Sequence, residues 1–580
     1  MFYNTTILTK FMLKRERTTS TAWILSLAGI NFLIMLVMGF GMTATAADRL
    51  ELLSMFGTNP ALLAMVGPLH PSLGVYYSGF GYLYTLFMMI FTAIAVGIMN
   101  VFLVVRHTRA DEEAGRYEVL RSLPSGRLAN INAAMLTAVV INVILAVFVS
   151  LSWVAGMAVI GESVGFASAV IWGVNIGAVG LVFAAIAALF AQLSYSSRGA
   201  SAYSFMALGL FYLLRAGADM DPNMDSEILA VISPFGLISR TWPYAGEYAN
   251  VVWPILVVLA MAAVITVIAY KLCSIRDIDQ GLIPARPGRP GGGVLMRSAF
   301  GLNTKLMRTA IIAWVIIMFL IAMSYGTIFE GIDDFVAGNE MYRQLMLGVA
   351  PHVLDYIDAL GPYATTAQIS SVMIQALDAM GIQVAQMFVN MIGFMMAMMA
   401  LIPVLILTLR ARAEERAMRT ELIIATPTSK AKYLVSFVIL TFATALLIQL
   451  FQGLGMYLIA SGMEEVADQL TLAFLVPAAM AYVPALWVFG GLTLLLVGLF
   501  PKRAGWIWAY YGFTFFAMMF GRLSPATDWM PNLTPFGWVP SLPIDEWSWL
   551  TFTTLSLIGL ALAALGIHFY GKRDVNAVAH

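Results

Sequence analysis

Runs of about twenty apolar residues recur along the whole chain, and each is long enough to cross ~30 Å of hydrocarbon as a helix at ~1.5 Å per residue. Twelve can be marked, near 22–45, 81–105, 131–158, 166–192, 199–215, 251–272, 309–329, 385–409, 433–460, 469–498, 504–521 and 549–570. Lipid offers no partner to a backbone N–H or C=O, so such runs must be helices that satisfy themselves. No single aqueous core could take them up instead. The 580 residues are 60% hydrophobic and only 11% charged, against about 25% charged in soluble domains, and one core stops growing near ~250–300 residues. The class is therefore an all-α polytopic membrane protein. Disorder, a soluble secreted enzyme and a nucleic-acid binder are excluded together. The lone cysteine, Cys273, excludes an internal disulfide framework and a cysteine-based metal cluster.

Net charge is zero, but the charges are segregated. Of 32 Lys and Arg, 27 fall in the N-terminal arm, the loops 106–128, 193–199, 410–432 and 499–503, the segment 271–308 and the tail. The opposite face keeps Arg49, Arg215, Arg240, Arg343 and Arg522, and carries 21 of the 32 acidic residues. The excess of Lys and Arg marks the cytoplasmic side, so both termini are expected in the cytoplasm and the chain in the cytoplasmic membrane. Ala44-Thr45-Ala46 has the small residues of a signal-peptidase site, but the preceding apolar stretch exceeds the ~7–15 residues of a secretory signal and reads as a retained first span.

Self-comparison uncovers a duplication. Residues 109–127 (RADEEAGRYEVLRSLPSGR) align without a gap on 412–430 (RAEERAMRTELIIATPTSK). The identical pairs are Arg109/Arg412, Ala110/Ala413, Glu112/Glu415, Ala114/Ala417, Arg116/Arg419, Glu118/Glu421 and Pro124/Pro427, while Asp111/Glu414 and Arg127/Lys430 keep their sign. Three weaker echoes keep the same order: Arg17–Trp23 with Arg308–Trp314, Ser233–Gly236 with Thr534–Gly537, and Arg276-Asp277 with Arg573-Asp574. Two parallel six-helix halves are expected, 1–283 and 301–580, joined by a linker at 284–300 whose Pro/Gly-rich start, Pro284 to Gly293, cannot hold a helix.

The repeated loop predicts a short rigid helix. Glu112 and Glu415 precede Arg116 and Arg419 by four residues, the favourable order for a helical ion pair. The acidic run suits a first helical turn, and Pro124 and Pro427 end the helix. Beyond the charges the segment turns apolar, through Val119, Leu120 and Leu123 in one copy and Leu422, Ile423 and Ile424 in the other. One such loop alone is equally well a solvated connection. Two in equivalent positions suit docking to a twofold-related pair of soluble partners.

With Glu414-Glu415, Glu421-Leu422 and Pro427, the loop resembles the coupling helix of ABC-2 type exporter permeases. The layout is similar too: an amphipathic elbow ahead of the first span, six spans per half, a charged helix between spans two and three, and an outer Pro-Phe-Gly segment before span six. A single chain of two such halves is most similar to the polyketide-antibiotic (tetronasin-type) exporter permeases. The first copy departs slightly, with Asp111-Glu112-Glu113 and Val119. The resemblance implies twelve transmembrane helices as two fused, type V exporter-like halves. It implies an ATPase on a separate chain, in two copies, holding the ATP and Mg, with no cofactor on this chain. Arg109, Asp111, Glu112, Arg116, Glu118 and Pro124, with Arg412, Glu414, Glu415, Arg419, Glu421 and Pro427, would couple to it. Arg17, Trp23, Arg308 and Trp314 would sit in the elbows.

No G-x-x-x-x-G-K-[ST] phosphate loop occurs in the sequence, so the permease is not expected to hydrolyse ATP. An ion-coupled secondary transporter with a 6+6 layout is the alternative, but such carriers normally bury ionisable groups in their spans. Here the marked spans hold almost none: His568, Lys271 at the inner end of the sixth, and Arg215 and Arg522 at outer ends. In the resembling fold the cargo path follows spans two and five and their equivalents. Candidates there are Phe87, Met88, Phe91, Phe205 and Tyr212, with Met395, Met396, Met399, Tyr511 and Phe515. Methionine and aromatic walls adapt to varied apolar ligands, which points to a hydrophobic or amphipathic compound as cargo.

Overall fold

A computed structural model describes the chain except residues 1, 44, 59, 122–123, 220–226, 278–279, 285–292, 294–295, 297, 327–328, 330–383, 464–465, 521–528, 543–544 and 575–580. Among the described residues every regular element is helical. Ten segments are long and apolar enough to cross a bilayer: Thr5–Gly41, Phe80–Glu113, Ala129–Ile160, Phe166–Leu193, Gly246–Ile275, Ala299–Gly326, Phe388–Arg416, Lys430–Ala460, Leu472–Leu499 and Trp549–Lys572. The chain is a multi-pass membrane protein. The remaining two predicted runs are helical but weaker as spans. The fifth is the 23-residue Ser197–Asp219, diluted by serines and Arg215, and the eleventh is the 14-residue Ile507–Phe520, too short alone to cover ~30 Å at ~1.5 Å per residue. The chain forms two compact units, Met1–Gly288 and Arg289–His580. Most of the predicted linker lies outside the described residues.

The first unit runs α1 (Thr5–Val37, prolonged by a π-turn over Met38–Met42), α2 (Ala46–Thr58), α3 (Pro60–Val66), α4 (Phe80–His107), α5 (Arg109–Glu113), α6 (Arg116–Arg121), α7 (Ala129–Ile160), α8 (Phe166–Leu193), α9 (Ser197–Asp219), α10 (Glu227–Ile232), α11 (Pro234–Ser239) and α12 (Trp253–Ile275). Helix α8 is central, packing on α4, α7, α9 and α12, while α1 lies along α7. Its small residues explain the position. A Cβ at Gly173 would lie 2.4 Å from the Ala146 carbonyl oxygen, and one at Gly177 3.1 Å from that of Asn142. In lipid, where apolar side chains gain little by leaving the solvent for one another, such close backbone approach drives helix association. A reciprocal amide pair between Asn100 of α4 and Asn142 of α7, at 2.7 and 3.1 Å, adds a polar tie inside the bundle.

The second unit contains α13 (Ala299–Gly326), α14 (Val384–Arg416), α15 (Arg419–Ile424), α16 (Lys430–Ala460), α17 (Leu472–Met480), α18 (Val483–Leu499), α19 (Ile507–Phe520) and α20 (Trp549–Lys572). Its neighbours recur in the order of the first unit: α13 on α16, α18 on α20, α14 on α16 and α18. Where α8 is continuous, α17 and α18 are broken, with Pro477 inside the former and Pro484 at the start of the latter. Glycines seven residues apart let α18 and α20 touch. A Cβ at Gly491 would meet the Gly559 carbonyl oxygen at 2.3 Å, and one at Gly498 that of Gly566 at 2.6 Å.

No separate elbow helix is found among the described residues. Arg17 and Trp23 lie within continuous α1, Arg308 and Trp314 within continuous α13. Neither segment has a proline or a glycine pair to break it. Both arginines are exposed and both tryptophans half-buried.

Candidate functional site

The two copies of the charged loop are built alike, and differently from the spacing-based expectation. In the first, α4 ends at His107, the Thr108 hydroxyl donates back to the Val104 carbonyl at 2.6 Å, and α5 and α6 follow. In the second, the acidic run is the last turn of α14, uninterrupted to Arg416. Threonine bonds of this kind bend helices, and the aligned position in the second copy is Ala411. Both copies then reverse at a left-handed residue, Gly115 at φ 68° or Met418 at φ 57°. In the second copy the acids therefore stand at the C-terminal end of a long helix, whereas in the first Asp111 and Glu112 fall in the first turn of the short helix α5, as the acidic run suggested.

That reversal overturns the expected pairing. Glu112 with Arg116, and Glu415 with Arg419, would need one continuous helix. The arginine instead turns back onto the preceding acid. Arg116 Nε contacts Asp111 at 2.9 Å, and Arg419 Nε contacts Glu414 at 2.6 Å, the carboxylate holding the Arg419 guanidinium above its ordinary pKa.

The second acid of each pair reaches across its unit. Glu112 accepts from Arg276 at 2.8 Å, just beyond α12, and from Arg109 at 3.0 Å. Glu415 accepts both terminal nitrogens of Arg573, just beyond α20, at 2.5 and 2.7 Å. The other aligned positions join the same clasp. Arg109 donates to the Tyr195 carbonyl between α8 and α9, as Arg412 does to the Lys502 carbonyl between α18 and α19. Arg127 donates to the Arg276 carbonyl at 2.9 Å, and Lys430 to the Arg573 carbonyl at 2.7 Å. Five charged positions of the repeat, with the Arg276 and Arg573 echo, thus form one device present twice.

Burial follows. Asp111, Glu112, Glu414 and Glu415 are 5%, 5%, 7% and 2% exposed, and Arg109 2%. These acids are spent inside the unit, which corrects the expectation that they face a partner. What each loop presents outward is Arg116, Glu118 and Pro124 in one copy, and Arg419, Leu422 and Pro427 in the other. Leu422 is 73% exposed, and Glu421 is half-buried.

The first copy has further ties. Arg15 of α1 makes two contacts to Asp111 at 2.6 and 3.1 Å. Buried Glu16 accepts from Arg106 at 2.9 Å and lies 3.0 Å from His107 Nε2. Glu113 accepts the Ser197 N–H at 2.8 Å, capping the first turn of α9, where a carboxylate complements the helix dipole. The second copy has Arg416 in place of Glu113. The network of Arg15, Glu16, Arg106 and His107 carries no spacing motif and was invisible in the sequence. Arg276 and Arg573 were visible as an echo without a role.

The candidate path residues divide. Phe205 is half-buried, edge-on to Phe102 at 5.3 Å, and lines a cavity of about 740 Å³. Phe87 and Met88 are half-buried and Phe91 is exposed. Tyr212 is also half-buried and stacks on the Arg215 guanidinium at 5.5 Å. In the second unit Met396 is a core residue, 1% exposed, whose carbonyl accepts from Gln452, so it packs its own unit rather than offering a wall. Met395, Met399 and Tyr511 are half-buried, and Phe515 is exposed. Arg215 is buried, pairs with Asp219, and donates to the Leu63 and Met65 carbonyls at the end of α3.

Among known proteins, residues 296–361 and 357–570 match the family described as the C-terminal domain of the multidrug efflux system permease Rv1217c. Over 579 residues, 99% of this chain and 96% of the relative, the chain is 29% identical to the multidrug efflux system permease protein Rv1217c of Mycobacterium tuberculosis. The likeness is to efflux permeases. It spans both units of the chain.

Proposed function

We propose that this chain is the permease subunit of an ATP-driven drug efflux transporter, moving a hydrophobic or amphipathic compound out of the cell. The observation that carries this reading is the end-to-end likeness to a multidrug efflux permease, joined to a charged loop that is built twice. The two units act as two six-helix halves of a type V exporter-like permease, and twelve helices cross the membrane once Ser197–Asp219 and the Ile507–Phe520 region are counted. ATP and Mg are held by a separate ATPase, two copies per chain, and this chain hydrolyses nothing. The exposed ends of α6 and α15 dock there, and the clasp beneath them carries force. Because Glu112 and Glu415 tie each loop to the last helix of its unit, a push on the loop moves a whole unit instead of folding a flexible turn. A hydrophobic, tetronasin-type cargo suits the aromatic surfaces, and the charge asymmetry supports a cytoplasmic side for both termini.

The test is co-purification of the detergent-solubilised chain with a co-expressed candidate ATPase. Two ATPases per chain are expected, with capture reduced at least roughly tenfold by Glu118→Arg combined with Leu422→Asp, since desolvated contacts at an interface centre each cost ~2 kcal/mol or more. A well-folded chain that captures no ATPase contradicts the reading and moves an ion-coupled carrier to the front.

A further inference from the structure

The open cavity of about 740 Å³ in the first unit is lined by α1, α4 and α9, with Ile141 of α7 also in its wall, and its lining is divided by chemistry. One end is apolar and aromatic: Trp23, Met99, Phe102, Leu103 and Phe205. The other is polar, with Thr19, Ser20, Ser197 and Ser201 around two arginines, Arg106 and Arg198. Its volume lies in the range of small-molecule sites, ~300–1,000 Å³.

The charges at the polar end are not balanced. Glu16, the acid in the lining, is buried and already engaged by Arg106 and His107. Arg106 keeps half its side-chain surface exposed while making that contact. Arg198 is exposed and forms no ion pair among the described residues. An arginine offers five N–H donors in a planar fork suited to carboxylate or phosphate. The Ser197 hydroxyl is spent on Glu113, and two guanidinium groups beside the remaining hydroxyls of Thr19, Ser20 and Ser201, above an aromatic wall, select a molecule with an anionic head and an apolar body.

We propose that this cavity binds an anionic amphiphile, its carboxylate or phosphate at Arg198 and Arg106 and its apolar part along Phe102, Phe205 and Trp23. The proposal rests on the exporter reading only for its consequence, that the occupant is cargo or a lipid regulating cargo entry. The site itself stands on the lining. It is also mechanically tied to the charged loop. Glu113 caps α9 at Ser197, Asp111 holds Arg15 of α1, and Ala110 is part of the wall. Movement of α5 therefore shifts two of the three helices that form the cavity. The second copy, with Arg416 in place of Glu113, lacks the carboxylate of that link, so the two units are unequal in this respect.

The experiment measures binding of 12-(9-anthroyloxy)stearate and its methyl ester to the full chain in phosphatidylcholine nanodiscs, without ATPase or ATP. The acid is expected to bind at least roughly tenfold more tightly than the ester, the effect of one or two hydrogen bonds to a charged group. Arg198→Glu should remove that preference and leave ester binding unchanged, Arg198→Lys should keep most of it, and Phe205→Asp should weaken both ligands. Gel filtration confirms that each variant is folded. Equal binding of acid and ester by the unaltered chain, or a preference that survives Arg198→Glu, overturns the proposal. Repeating the titration with one third phosphatidylglycerol assigns the source, and either result supports the site: displacement of the probe identifies a lipid headgroup, and its persistence a free amphiphile. Because no ATPase is present, failure here leaves the permease reading standing, and failure to capture an ATPase leaves this site standing.

Discussion

Glu112 and Glu415 were legible in the sequence as important and illegible as to why. Repetition at equivalent places singled them out, but helical spacing assigned them the wrong arginines. The missing information was one backbone angle. Gly115 and Met418 adopt left-handed φ values of 68° and 57°, which ends the helix between acid and arginine and redirects each pair by one residue. Glycine takes that conformation freely, whereas a methionine does so at a cost of about 1–2 kcal/mol. Met418→Gly is therefore expected to raise the thermal midpoint of the solubilised chain, and Gly115→Met to lower it, both followed by loss of monodisperse elution after heating. A fall in Met418→Gly would show that the methionine side chain, and not the turn, holds the second loop. Buried Glu16 and His107 had no such signal. A pair contributed by α1 and the end of α4 is apparent only once tertiary packing brings those helices together.

At the scale of elements, apolar run length located ten spanning helices well, because lipid leaves the backbone no alternative to the helix. It located ends poorly. Both α1 and α13 run through the segments expected as elbows, since amphipathic charge pattern alone does not break a helix that lacks a proline or glycine pair. Packing was likewise unreadable from hydropathy. The glycines at 491, 498, 559 and 566 mark the crossing of α18 and α20 only once the two helices are seen together. Gly559→Val is expected to separate them, because a Cβ there would stand 2.8 Å from the Trp487 carbonyl carbon. Its measure is a loss of folded, monodisperse protein far greater than that from Gly512→Ala, where no atom lies within 4 Å. Equal yields of the two variants would contradict the crossing.

For the whole molecule, the duplication visible in a nineteen-residue alignment recurs as two compact units with the same order of helix neighbours. The clasp gives that symmetry a mechanical content, since each unit ties its charged loop to its own last helix. Sidedness is tested with cysteines introduced into a Cys273→Ser chain. A cysteine at exposed Tyr76 should react with a membrane-impermeant maleimide in intact cells, and one at exposed Met418 only after permeabilisation. The opposite pattern would invert the orientation inferred from Lys and Arg.

The clasp itself is tested by a charge exchange across its best-defined contact. Removing one partner of a buried ion pair costs ~3–5 kcal/mol, so Glu415→Arg and Arg573→Glu should each lower thermal stability and capture of the ATPase together. The double exchange Glu415→Arg with Arg573→Glu should restore both in large part. If Glu415→Arg instead leaves stability unchanged while abolishing ATPase capture, and the exchange rescues nothing, then Glu415 is a docking contact and the internal clasp is refuted.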